Sequence, residues 1–244
     1  MDVGPRLSRA ARQDISGTVC ANPKSQNAMS ARDNILKRIR EANGRESGTS
    51  ATERDAILAR LDAHTRGPLP TMDWEPLPRF KERCIAMMST VDEVGSLAQV
   101  PRALASYLKQ KNLPTGGACW PEFAELDWAG AGLAIQARPS HGDDKLGITG
   151  AFCALAENGT LMLLSGENTH ATTSLLPENH VAIVAASRIV RTMEDGWDLL
   201  RSERAGLPRQ VNFVSGPSRT ADIEMTLVLG AHGPFRVHVI VLGD

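Results

Sequence analysis

The sequence is short of the features that announce a common class of protein. Aromatic residues are scarce: one Tyr, five Phe and four Trp make up 4% of the 244 residues. A core must therefore be filled mainly by Val, Ile, Leu, Ala and Met. The 42% hydrophobic content is enough for one sizeable α/β domain with a short appendage. Neither sign of charge dominates, with 27 Lys and Arg against 28 Asp and Glu. This excludes a whole-molecule field that would draw nucleic acid or anionic lipid, while leaving room for a local basic patch. No apolar run approaches the roughly 18–20 residues needed to span a bilayer. The stretch from Ala10 to Ala28 lacks the apolar segment of a signal peptide, so a cytoplasmic location is expected. The four cysteines, Cys20, Cys84, Cys119 and Cys153, form no C-x-x-C motif and no Cys/His pair at ligand spacing. They read as reduced structural thiols, and neither a zinc site nor an iron–sulfur cluster is expected in this chain. There is no Gly-x-Gly-x-x-Gly, no Walker A sequence and no G-x-S-x-G elbow, so NAD, ATP and serine-hydrolase chemistry are not assigned from a motif.

What is present divides the chain in three. Residues 1–28 have no periodicity and read as a disordered extension, with Met29 a candidate natural start. A helical segment follows over 29–70. Ser30 and Asp33 cap its first helix, with Ile35, Leu36 and Ile39 as an apolar stripe. Thr52 and Asp55 cap its second, with Ile57, Leu58 and Leu61 on one face. Gly67-Pro-Leu-Pro70 ends this segment, and Asp73 to Pro78 reads as a linker. Residues 71–244 show α/β alternation. Helices are expected at Arg79–Met88, Val100–Lys111 and Met193–Arg201, and strands at Thr90–Val94, Leu133–Ala137, Val181–Ala185, Val211–Ser215 and Phe235–Leu242. Phe152–Glu157 and Thr160–Ser165 meet at Asn158-Gly159, a hairpin signal. The pattern predicts an open, mostly parallel or mixed sheet with flanking helices.

Two stretches carry candidate chemistry. In the first, a strand opens into Gly216-Pro217, followed by Ser218, Arg219, Thr220, Asp222 and Glu224. Hydroxyls, free backbone N–H groups and an Arg at the carboxyl end of a strand can hold a carboxylate or phosphate; a capped turn with a surface ion pair is the plainer reading. In the second, Leu146 to Gly150 leads to Ala156-Glu-Asn-Gly-Thr160, where Glu157 ends an apolar run. If buried, its carboxylate suits a general base or nucleophile; the plainer reading is a solvated hairpin end. His180 and His232 lie in loops near expected strand ends, where hydrogen-bonded loop residues outnumber catalysts.

These stretches resemble the LUD-domain family, in particular its lactate-utilization C branch. The resemblance rests on Gly147-Ile-Thr-Gly150, Ala156-Glu-Asn-Gly-Thr-Leu161, Ser174-Leu-Leu-Pro-Glu-Asn-His180, Ser215-Gly-Pro-Ser-Arg-Thr-Ala-Asp-Ile-Glu224 and Gly230-Ala-His-Gly-Pro234. It is dense over about the last hundred residues and loose from Met29 to Pro114. The family turn usually reads Glu, Ser or Thr, Gly, Thr; here Asn158 takes the second place. The resemblance implies a fold similar to the sugar-phosphate isomerase and CoA-transferase-like α/β group. It also implies a non-redox subunit that works beside iron–sulfur partner proteins in oxidising L-lactate to pyruvate. A small anionic ligand would then be held by residues among Thr149, Asn158, Gly159, Thr160, His180, Gly216, Ser218, Arg219, Thr220, Asp222 and Glu224. The alternative is a stand-alone enzyme of acyl-CoA or sugar-phosphate type. Its catalytic residue would be Glu157, because Glu157-Asn158-Gly159 looks like the catalytic turn of some CoA-transferases, where the Glu attacks an acyl-CoA carbonyl and becomes a thioester.

Overall fold

The structure, a computed structural model, describes residues 30–44, 48–220 and 228–243. Two compact units divide at Arg66 and Gly67. The proposed extension over 1–28 lies outside the described residues, as do Cys20, Asp222 and Glu224.

Among the described residues, the first unit holds two helices, α1 (Ala31–Ala42) and α2 (Ala51–Asp62), neither with a buried residue. Ser30 caps α1 by accepting from the Asp33 N–H at 3.1 Å, as its sequence suggests. The cap of α2 is Ser50 rather than Thr52. Ser50 accepts from the Glu53 N–H, and Glu53 reaches back to the Ser50 N–H at 2.9 Å, closing a reciprocal capping box.

The second unit begins with α3 (Pro76–Ala86), which takes in residues expected to be linker. Pro76 and Pro78 fit because N–H groups in the first turn have no partner within the helix. Next come β1 (Thr90–Val94), α4 (Val100–Lys111), β2 (Gly116–Cys119), β3 (Ala134–Ala137) and β4 (Leu146–Gly150). After these come the hairpin β5 (Cys153–Leu155) and β6 (Thr160–Leu164), one turn α5 (Thr172–Leu175), and β7 (Asn179–Ala185). The unit closes through β8 (Ile189–Val190), α6 (Met193–Glu203), β9 (Val211–Val214), β10 (Arg219–Thr220), β11 (Val228–Leu229) and β12 (Arg236–Leu242).

Six strands form the main sheet, in the order β1-β12-β7-β4-β2-β3, and every pairing in it is parallel. The mixed pairing expected from the sequence belongs to a separate four-stranded sheet, β8-β5-β6-β9. There β6 is antiparallel to β5 and β9, and β8 is parallel to β5. β7 and β12 are near-continuous apolar runs because both faces of a central parallel strand are covered. The smaller sheet divides its side chains by strand alternation. Ala154, Leu161 and Leu163 join the main core, while Cys153, Leu155 and Met162 pack with Leu200 of α6. The hairpin turn is longer than the Asn-Gly dipeptide suggested: Leu155 pairs with Thr160, leaving Ala156 to Gly159 as the connection.

Candidate functional site

The two turns singled out in the sequence meet at one end of the smaller sheet. β5 and β9 both run antiparallel to β6, so their carboxyl ends lie beside its start. Thr160 Oγ1 donates to Ser215 Oγ at 3.1 Å and ties the turns together. Both then pack on α3 and the residues just after it. Gly159 and Gly216 adopt φ of 72° and 79°. A Cβ on Gly159 would stand 2.7 Å from backbone atoms of Arg83 and Cys84, and one on Gly216 would strike the Met87 carbonyl. The Cys84 thiol donates to the Gly159 carbonyl at 3.6 Å. The backbone of Arg83, Cys84 and Met87 backs both turns closely, leaving no open space on that side.

Glu157 has a structural partner there. Its Oε1 accepts the Met193 N–H at 2.9 Å, and Met193 is the first residue of α6. A carboxylate at a helix start satisfies a donor that lacks an intrahelical partner and lies at the positive end of the helix dipole. Asn158 Oδ1 is buried without a hydrogen-bond partner. Ser218 is held on both sides: its N–H donates to Pro234 O at 2.9 Å, its carbonyl accepts from Gly230 N at 2.9 Å, and its Oγ accepts from His232 N at 3.3 Å. Arg219 is exposed and touches the Met87 sulfur at 3.3 Å, and Thr220 pairs with Val228 in the short β10–β11 ladder. Thr149 and His180 lie inside the main sheet, both fully buried, with Oγ1 and Nε2 2.8 Å apart. Burial pushes the His180 imidazole down to about 4, so it is neutral. These two residues, expected at a ligand site, are core residues because β4 and β7 are central strands.

A ligand-sized cavity lies elsewhere, outside the carboxyl ends of the parallel strands, where open α/β sheets bind ligands. It has a volume of about 770 Å³, within the range of small-molecule and cofactor sites. The ends of β4, β7 and β12 line it at Gly150, Ala185 and Leu242, with Trp120 following β2. Phe123, Phe152, Leu164 and Ile183 supply apolar walls, and Glu122, Ser165, Asn168, Arg188 and Arg204 supply polar groups.

Glu122 stands in the single 3₁₀ turn Pro121–Phe123 after β2. The residue is exposed overall, but its carboxylate lies against Gly150. Desolvation raises its pKa above the usual carboxylate range, against the opposing pull of the Gly150 hydrogen bond. Any side chain at position 150 would collide with this carboxylate. Arg188 is committed: Nε donates to Phe152 O at 2.8 Å, and its two terminal nitrogens grip Glu203 at 2.6 and 3.0 Å. Arg204, next in sequence to Glu203, is exposed, and its guanidinium has no hydrogen-bond partner among the described residues. The cavity therefore combines a partly desolvated carboxyl group with a guanidinium whose donors make no hydrogen bond among the described residues.

None of the described residues expected from the sequence lines this cavity. A signal existed in Ser165-Gly-Glu-Asn-Thr169, a polar run directly after an apolar strand. Glu122 and Arg204 carried none, because only the ends of β2 and α6 bring them there. Among the described residues, no group of three or more His, Cys, Asp or Glu is placed to hold a metal ion, and no helix is long and apolar enough to cross a membrane. Cys84, Cys119 and Cys153 are buried, and burial pushes their thiols up to about 12, 11 and 11 respectively. They are neutral thiols at physiological pH.

An open parallel sheet flanked by helices, with a ligand-sized cavity at its carboxyl edge, places this domain in the open-sheet α/β class. The chain belongs to the LUD-domain family, whose profile matches residues 77–242. It is similar to lactate utilization protein C of Halalkalibacterium halodurans, 46% identical over 102 residues, or 41% of this chain and 44% of that protein. The protein of that name from Bacillus subtilis is 41% identical over 102 residues, covering 41% of this chain and 42% of the relative. That from Bacillus licheniformis is 40% identical over 131 residues, covering 51% and 54% respectively. The chain thus spans about half the length of these relatives or less. A crystal structure of a DUF162 family protein from Deinococcus radiodurans shares the fold, with a TM-score of 0.54, 23% identity and coverage of 71% of this chain and all of that one.

Proposed function

We propose that this protein is a non-redox subunit of a system that oxidises L-lactate to pyruvate, working beside iron–sulfur partner proteins. The observation that carries the reading is the 40–47% identity to relatives named lactate utilization protein C. In this reading the electron-transferring clusters belong to the partners, in keeping with three buried, protonated cysteines scattered through the described fold. The chain contributes the carboxyl-edge cavity, which binds a small anionic ligand through Arg204. The fold is read as kin to the sugar-phosphate isomerase and CoA-transferase-like group. The alternative, an enzyme with Glu157 as nucleophile, is disfavoured because the Glu157 carboxylate is engaged by the start of α6.

Deleting the gene tests the reading. Growth on L-lactate as sole carbon source should fail while growth on pyruvate continues. Affinity purification of the tagged native protein should recover iron–sulfur proteins with visible cluster absorbance. Normal growth of the deletion strain on lactate would overturn the proposal.

A further inference from the structure

The cavity is far larger than a three-carbon acid, and its walls are mostly apolar. At about 770 Å³ it suits an occupant of drug or cofactor size, whereas lactate alone would leave most of it to water. Its polar groups differ in kind, and Glu167 adds a second carboxylate to that of Glu122. Arg188 and Glu203 form a two-pronged pair; Arg204 also feels the Glu203 charge, but its donors make no hydrogen bond among the described residues. Ser165 Oγ is engaged as an acceptor of the Gln210 N–H at 2.8 Å. The Glu122 carboxyl lies over Gly150 at the end of β4, in the space a side chain at position 150 would take.

We propose that this cavity binds a 2-hydroxy or 2-oxo carboxylate whose side chain is larger and more apolar than a methyl group. The acid class rests on the reading given under Proposed function; the side-chain size rests on the cavity itself. Arg204 takes the carboxylate, the side chain covers Phe123, Phe152, Leu164 and Ile183, and Glu122 hydrogen-bonds the oxygen on carbon 2. The ionised form of Glu122 accepts from a hydroxyl, and the protonated form donates to a carbonyl. Gly150 is glycine so that the Glu122 carboxylate can reach this position.

Calorimetric titration of the full chain with L-lactate, L-2-hydroxy-4-methylpentanoate and L-3-phenyllactate tests the idea. Affinity should rise in that order. Each buried methylene is worth about fourfold, so at least a tenfold gain is expected between the first and last acid. Arg204→Ala removes an exposed side chain and should weaken phenyllactate binding about tenfold without moving the thermal midpoint. Phenyllactate should also bind more tightly than 3-phenylpropionate, which lacks the 2-hydroxyl. That preference should vanish in Gly150→Ala, whose methyl displaces the Glu122 carboxyl, and in Glu122→Ala. Equal affinity for lactate and phenyllactate, no saturable binding by any of the acids, or binding unchanged in Arg204→Ala would each overturn the proposal. The two readings fail separately. Lost growth on lactate with no acid bound removes the site and keeps the system; normal growth with phenyllactate held through Arg204 removes the system and keeps the site.

Discussion

Single residues in this fold are fixed by what surrounds them more than by what they are. His180 and His238 sit in adjacent central strands, both almost fully buried. His238 stacks on Tyr107 with ring centroids 3.8 Å apart, and its Nδ1 lies 2.8 Å from Thr90 Oγ1. Asp92 and Lys111 face it in opposite senses, and desolvation prevails, so both imidazoles are pushed from 6.5 down to about 4. A base whose pKa is lower in the folded state binds fewer protons there than in the unfolded chain. Its stabilising effect is therefore complete above about pH 6.5 and is lost as pH falls toward 4. His180 alone accounts for at most on the order of 3 kcal/mol across that window. Urea unfolding at pH 7.5 and pH 5 should show a clear fall in stability at the lower pH, less steep in a Thr149→Val/His180→Leu double variant. An equal slope in the two proteins would show that His180 is not held neutral. Gly159 makes a second residue-scale prediction. An alanine there is strained by its positive φ and also meets the backbone of α3. Gly159→Ala should cost roughly 2–4 kcal/mol, more than the approximately 1 kcal/mol of an ordinary exposed site, as read from the urea midpoint.

At the scale of elements, the recurring device is the satisfied helix start. α6 has two such devices: the Thr192–Asp195 capping box, in which Asp195 Oδ2 accepts the Thr192 N–H at 3.0 Å, and Glu157 on the Met193 N–H. This separates the two roles considered for Glu157. As a cap, Glu157→Gln keeps an acceptor oxygen and should stay within about 0.5 kcal/mol of the parent, while Glu157→Ala loses about 0.5–2 kcal/mol. As a nucleophile, the Gln variant would lose all function with stability intact. Lactate growth of cells carrying Glu157→Gln should match the parent. The hairpin that delivers Glu157 was legible from its Asn-Gly dipeptide, and α4 and β1 agree with their sequence patterns at both ends. β2 and β4 were not legible as strands. Gly116-Gly-Ala-Cys119 and Leu146-Gly-Ile-Thr-Gly150 have few side chains to show a period, and their pairing depends on partners far along the chain.

For the whole molecule, the division into units carries a direct expectation. α1 and α2 bury no residue, while the core clusters lie wholly within residues 67–244. A protein beginning at Gly67 should fold and keep its thermal midpoint. A large fall, followed by circular dichroism during heating, would show that the first unit supports the second.

Local sequence was enough for the existence of most helices and of the long apolar strands, for the α/β class, and for the family, because periodicity, caps and short motifs are properties of neighbours in the chain. The family motifs were visible at Glu157, Gly159, Ser215 and Gly216, but their job was not: only the folded chain shows them meeting the end of α3 and the start of α6. The cavity was decided by tertiary structure alone. Its walls come from the ends of β2, β4, β7 and β12 together with the segments after β6 and α6. Residues as distant in sequence as Glu122 and Arg204 share it because parallel strand order, set by long crossovers, determines which carboxyl ends stand side by side.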